Sequence, residues 1–291
     1  MKTPQQKGMF IWELARTAGG DPLALIAKAA AAKFDWIAIK ISNGTATFQA
    51  SLLPTAIDLL RDAGISVWGW SYVYGINSLR QNQGKREAEL AADLMLRYKL
   101  DGFLIDAEAE YKRPGGTKAA EDFSVSLRTR LPATPIGLCA YRWPSVHPDF
   151  PWRPFLQICD FHCPQVYWQG AHNPAEQLAR SVKELQLLKN IPVVPAGAAY
   201  YESGWQPTVA EINLFNAKAK SMGLPGVIWW SWQAAENHPD FWAAIAAHEW
   251  GPPAPPGPLF RELAWIQAQE ELQRWGIKLG MLTAEGRLRG A

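Results

Sequence analysis

The chain of 291 residues is poor in groups that crosslink, anchor or carry charge, and each shortage removes a class of function. Cysteine occurs three times, at Cys139, Cys159 and Cys163, an odd and sparse set better suited to small core residues than to a disulfide framework. The run CDFHC puts His162 between two of them but matches no standard zinc spacing, so no metal site is expected. No stretch approaches about 18 uninterrupted apolar residues, which argues against a membrane span. The start, MKTPQQKG, lacks the apolar core of a secretory signal, so synthesis in a cytosol without classical export is expected. Formal net charge is only +2 and the basic residues are scattered, so nucleic acid is not an expected partner. The segment FIWELARTAGG carries no GxGxxG, which removes the dinucleotide-binding loop, and no cofactor is expected.

Apolar residues are plentiful at 48%, enough for a large core, and tryptophan is in excess at 15 residues. Such rings fill cores, and Trp and Tyr faces also stack on the apolar faces of sugars.

From the N-terminus to about residue 249, apolar β-rich runs alternate with longer amphipathic ones. Strands are expected over 9–14, 36–41, 66–72, 102–108, 136–141, 161–168, 192–197 and 226–232. Helical patterns follow over 22–33, 55–64, 85–99, 119–131, 174–190, 208–223 and 240–249. The link between the fifth and sixth strands is short and rich in proline, a poor setting for a helix. Asp21 before Pro22, and Thr208 three residues before Glu211, have the form of helix starts, while Gly64 and Gly223 have the form of helix ends. Repeated strand–helix alternation argues for parallel strands with helical crossovers, and eight units in roughly 250 residues predict an α/β (β/α)8 TIM barrel. Residues 1–250 are assigned to this barrel. GPPAPPGP, 251–258, reads as a proline-rich linker, and 259–291 as a short helical tail with Leu263, Ile266, Leu272 and Trp275 apolar. About 33 residues cannot bury a core alone, so the tail is expected to dock on the barrel, another subunit or a partner, or to be the opening of a truncated module.

The run DGFLIDAEAEY is the richest in chemistry. Side chains two apart on a strand share a face, so Asp106 and Glu108 point the same way, with Leu104 behind them. Two same-facing carboxylates at a strand end suit cleavage of a glycosidic bond, one donating a proton and the other stabilising charge at the sugar carbon. Barrel enzymes gather their reactive groups at the C-terminal strand ends. The other ends supply Glu13, Lys40 with Ser42, Tyr72 and Tyr74, Tyr141, Gln165 with Tyr167, and Trp230 with Trp232. Asp106 and Glu108 are the catalytic candidates. Tyr167, Gln165, Trp230, Trp232, Tyr141, Tyr72 and Glu13 are the substrate-binding candidates. Glu110 reads as a loop residue, and His162 as a structural histidine.

The run DGFLIDAE resembles the fourth-strand signature DGxDxDxE of the chitinase-like family 18 glycoside hydrolases, with Asp101, Asp106 and Glu108 matching three of its four acids and Leu104 replacing the other. PQVYW is similar to that family's sixth-strand element, and GVIWW to its eighth, which maps onto Trp230. IKI on the second strand and the DxE pair also resemble the lysozyme-like family 25, although Trp12 and Glu13 stand where that family's first strand carries aspartate. The resemblance implies retaining, substrate-assisted hydrolysis of a glycan containing an N-acetylhexosamine, either peptidoglycan or a chitin-like polymer. It makes Glu108 the acid and then base. It makes Asp106 the group that orients the acetamido group, with Tyr167 and Gln165 donating hydrogen bonds to it. A wall substrate without an export signal fits a phage lysin or a virion-associated protein. Leu104 and the unusual first strand leave open a non-catalytic carbohydrate-binding or structural barrel, for instance a virion component. A glycosidase for another sugar polymer is a third reading.

Overall fold

The computed structural model of the protein describes residues 3–250. The proposed linker, 251–258, and tail, 259–291, lie outside the described residues.

Eight parallel strands form the barrel: β1 Gln6–Ile11, β2 Trp36–Asn43, β3 Ser66–Val73, β4 Phe103–Ala107, β5 Ile136–Tyr141, β6 Phe161–Val166, β7 Ala196–Ala198 and β8 Gly226–Trp230. Each pairs with its successor, and β1 pairs with both β2 and β8, so the sheet closes on itself. A two-residue strand, Ala46–Thr47, folds back antiparallel on β2. Helices α1 Pro22–Ala31, α2 Leu53–Asp62, α3 Gly84–Arg97, α4 Gly116–Arg130, α5 Trp152–Ile158, α6 Pro174–Leu188 and α7 Val209–Ser221 follow the first seven strands. Two short helices, α8 Trp232–Glu236 and α9 Pro239–Ala247, follow β8. This is the expected (β/α)8 barrel.

Helix boundaries fall where the local chemistry puts them. Asp21 accepts from the Leu23 amide, and Thr208 and Glu211 form a reciprocal capping box at α7. The doubtful fifth crossover does hold a helix, α5. Pro154 lies in its first turn, where the missing N–H has no intrahelical partner to lose.

Most strand limits shift by a few residues from the sequence reading, and three of the shifts have a clear physical reason. β1 begins at Gln6 rather than residue 9, because Lys7 is buried with its Nζ donating to the carbonyls of Ile245, Ala246 and His248 at 2.9–3.1 Å. A charged residue thereby occupies a strand position that periodicity treats as an end. The seventh strand is only three residues long and starts at Ala196, since Pro192 and Pro195 bring no N–H to a ladder. β8 stops at Trp230, so Trp232 opens a helix instead of ending a strand.

The barrel interior is an aromatic plug containing Phe10, Trp36, Trp68, Trp70, Leu104, Phe161 and Ile228. Trp36 packs on Trp68 at 5.5 Å, and Trp68 packs edge-on to Phe161 at 5.8 Å. Glycine on neighbouring strands makes the room: a Cβ on Gly8 would sit 2.3 Å from the Trp36 ring, and one on Gly102 would sit 2.2 Å from the Trp68 ring. Much of the tryptophan excess is therefore structural filling. What remains at the C-terminal mouth forms the site.

Candidate active site

In register across the barrel, Tyr72 of β3 pairs with Asp106 of β4, which pairs with Cys139 of β5, one layer above Trp70, Leu104 and Gly137. Asp106 thus projects inward from the last turn of the pleat, resting on the apolar plug, and is 6% exposed. Glu108 lies one residue past β4, half-buried and on the same side. Between them comes the amide of Gln165 from β6. Its Nε2 donates to Asp106 Oδ1 at 3.1 Å and to Glu108 Oε1 at 2.8 Å. One NH2 group thereby holds both carboxylates at a fixed separation.

These groups open into a cavity of about 250 Å³ lined by Phe10, Trp12, Lys40, Trp70, Tyr72, Asp106, Glu108, Cys139, Gln165, Tyr167 and Trp230. Trp230 meets Phe10 and Trp70 edge-on, each at 5.4 Å, and stacks on Trp12 at 6.3 Å. The next residue inward on β8, Trp229, points the other way, fully buried against Phe215 of α7 at 5.4 Å. The Tyr72 hydroxyl donates to Glu110 Oε2 at 2.8 Å. The Tyr167 ring is braced edge-on by Tyr200 at 5.4 Å.

The electrostatics favour neutral acids. Burial raises the Asp106 pKa well above the ordinary carboxylate range, and the Glu108 charge raises it further, against the opposing pull of Lys40. Burial also raises Glu108; the Gln165 hydrogen bond opposes this and the Glu110 charge adds to it. Burial and the charges of Glu108 and Glu110 push Tyr72 upward, so it stays a donor. The Cys139 thiol is raised well above its usual value by its hydrogen bond to Cys163 and by burial, which keeps it from acting as a thiolate nucleophile.

Of the residues singled out from sequence, Asp106, Glu108, Gln165, Tyr167, Tyr72 and Trp230 converge on this cavity. Three do not line it. Glu13 lies beyond β1 and turns its carboxylate to Arg16, while its carbonyl accepts from Gln233. Trp232 is fully buried in the outer layer between Phe34 and Trp242, at 6.0 and 4.7 Å, because the chain has already turned into α8. Tyr141 stacks on His147 at 3.7 Å beneath the Lys112 ammonium, beside the mouth rather than in it. Asp101, the first acid of the signature, sits at the opposite end of the barrel, where Oδ2 accepts from the Val67 amide at 2.7 Å and the Ser66 hydroxyl at 2.9 Å. His162 engages the Lys189 carbonyl through Nε2 at 2.9 Å.

Sequence reasoning underrated Lys40, Trp12 and Trp70 as site residues, and also Glu110, which fixes Tyr72. The sequence reading names Lys40 at its strand end but gives it no role; the period-two alternation of WIAIKI places it on one face with Trp36 and Ala38, and that face is the barrel interior.

No protein-family model and no curated protein matches the chain. Solved structures do, and they share its fold at low identity. A chitinase from Chromobacterium violaceum superposes with a TM-score of 0.59 at 12% identity, over 83% of this chain and 98% of that one. The family 18 chitinase ChiB from the chitin utilization locus of Flavobacterium johnsoniae gives 0.58 at 12%, over 83% and 93%. The spore cortex-lytic enzyme SleL of Bacillus megaterium gives 0.60 at 10%, over 86% and 75%. The barrel is thus of the kind found in chitinases and a cortex-lytic enzyme. These three structures lend no support to the lysozyme-like part of the resemblance.

Proposed function

We propose that the protein is a glycoside hydrolase that cleaves a glycan containing an N-acetylhexosamine, with retention and with the substrate's acetamido group as nucleophile. The observation that carries this reading is the Gln165 amide spanning Asp106 and Glu108 at the floor of an aromatic cavity. The named functions of the structural neighbours, chitinases and a spore cortex-lytic enzyme, point to the same substrate class.

The chemistry follows from the positions. Glu108, whose pKa burial pushes upward, gives its proton to the glycosidic oxygen as the bond to the anomeric carbon breaks. The acetamido oxygen of the same sugar bonds to that carbon from the opposite side, forming a cyclic oxazolinium, and Asp106 stabilises the N–H that becomes positive. The Tyr167 hydroxyl, which lines the cavity and has no hydrogen-bond partner among the described residues, donates to the acetamido oxygen in this reading. Glu108, now a carboxylate, takes a proton from water, whose oxygen opens the ring and restores the original anomeric configuration. Trp230 supplies a face for the sugar to rest on.

Purified protein, offered chitin oligomers and peptidoglycan, should release reducing ends of retained configuration, read by proton NMR of the first product. Glu108→Gln should abolish the release while leaving the fold intact, and full activity in that variant would sink the assignment. Leu104, standing where the family signature has an acid, favours a second reading as a glycan-binding barrel without turnover. Binding by wild type with no product from any N-acetylhexosamine polymer would establish that reading instead.

A further inference from the structure

Among the described residues Lys40 is the one cation lining the cavity, and no hydrogen-bond acceptor there engages it. The residue is 6% exposed. Aromatic rings surround its Nζ, with Trp70 and Phe48 centroids at 4.9 Å and Trp12 and Tyr72 at 5.8 Å. Rings attract the charge but offer the three N–H donors no acceptor lone pair. No ion pair or hydrogen bond joins Nζ to any described residue. Other ammonium groups drawn into the protein are treated differently: buried Lys7 satisfies three backbone carbonyls, and half-buried Lys189 two. A buried charge without acceptors is costly unless something supplies them, and Lys40 lines the cavity.

Resting on the reading of this cavity as a glycosidase site, we infer that Lys40 receives a carboxylate borne by the amino sugar. The substrate is then an acidic amino-sugar glycan of the muramic type, with a lactyl ether on the ring, rather than a neutral polymer of N-acetylglucosamine. Two features of the site support the pairing. Asp106 and Glu13 attract the ammonium without hydrogen-bonding to it, and Asp106 and Glu108 are engaged by Gln165, which leaves the Lys40 donors available to an outside anion. Burial also depresses the Lys40 pKa, so a bound anion would stabilise the charged form that burial penalises.

The test is a binding measurement that does not need turnover. In a Glu108→Gln background, quenching of tryptophan fluorescence is titrated with three tetrasaccharides: neutral N-acetylglucosamine, alternating N-acetylglucosamine and N-acetylmuramic acid, and the latter with its carboxyls reduced to alcohols. The expected result is that the carboxylated oligomer binds about tenfold or more tighter than its reduced form, the size of one charge-assisted hydrogen bond. Lys40→Met should bring that ratio to within about twofold, and Lys40→Arg should keep part of it. If Lys40→Met does not fold, Lys40→Gln serves the same comparison. Equal affinity for carboxylated and reduced oligomers in the parent, or a preference that survives loss of the ammonium, would overturn the inference. Absence of hydrolysis by wild type, with the carboxylate preference present, would instead sink only the catalytic reading.

Discussion

At Glu108 burial makes the ionised carboxylate expensive while the Gln165 amide relieves part of that cost, and the net shift is upward. The consequence for stability has a definite sign. Below the ordinary carboxylate value the group is protonated in both folded and unfolded chains and contributes nothing. As pH rises, the unfolded chain ionises freely and the folded one does so at a penalty, so stability falls until the raised folded value is passed. Glu108→Gln removes that penalty. Its melting temperature should match wild type near about pH 4 and exceed it at neutral pH. A melting difference that does not change with pH would contradict the upward shift. Asp106, buried and raised in the same direction, should show its role in rate. Asp106→Asn is expected to slow turnover strongly at neutral pH and less at low pH, because the amide mimics the protonated acid but cannot stabilise the cation that forms. A pH–rate profile identical to wild type would remove Asp106 from the mechanism.

Two elements show how the same residue type is put to different use. On β8, Trp229 packs outward on Phe215 and Trp230 faces the cavity. Trp229→Ala should cost about 3 to 5 kcal/mol in denaturant unfolding, the range for an emptied aromatic core site. Trp230→Ala should cost clearly less while weakening glycan binding, and a reversed order of the two losses would show that the faces are exchanged. The loop after β3 depends on one buried acid. Glu87 of α3 accepts the Tyr74 and Gly75 amides at 3.0 Å each and the Tyr111 hydroxyl at 3.4 Å. Tyr74 in turn packs on Tyr72 at 5.0 Å, so this acid sets one wall of the cavity from a distance. Glu87→Ala strands two buried N–H groups, a loss of about 1 to 3 kcal/mol each where water does not replace the carboxylate. Hydrogen exchange at Tyr74 and Gly75 should speed up accordingly, and unchanged exchange there would mean that the loop is held by other contacts.

For the molecule as a whole, closure is complete within the described residues. β1 pairs with β8, and Lys7 ties the start of β1 to the last turn of α9 through Ile245, Ala246 and His248. A chain ending at Trp250 should therefore remain folded, with a melting temperature within about 10 °C of the full chain. A larger drop, several kcal/mol for a domain of this size, would make residues 251–291 part of the fold.

Periodicity and punctuation by themselves determined the barrel. Eight apolar runs, each followed by an amphipathic one, leave few other ways to bury so much strand, and Asp21, Thr208, Gly64 and Gly223 mark helix limits through interactions with their immediate neighbours. The DxE spacing likewise determined that Asp106 and Glu108 share a face, because side-chain alternation is a property of any strand. Tertiary structure decided everything that depended on where a strand stops or what stands across the barrel. Trp232 and Glu13 left the site because β8 and β1 end earlier than their apolar runs suggest. Gln165 became the bridge between the two acids from 57 residues beyond Glu108, and Lys40 entered the cavity from the opposite side of the chain order. Those meetings follow from barrel closure and register, which bring distant strand ends together and which no local pattern encodes.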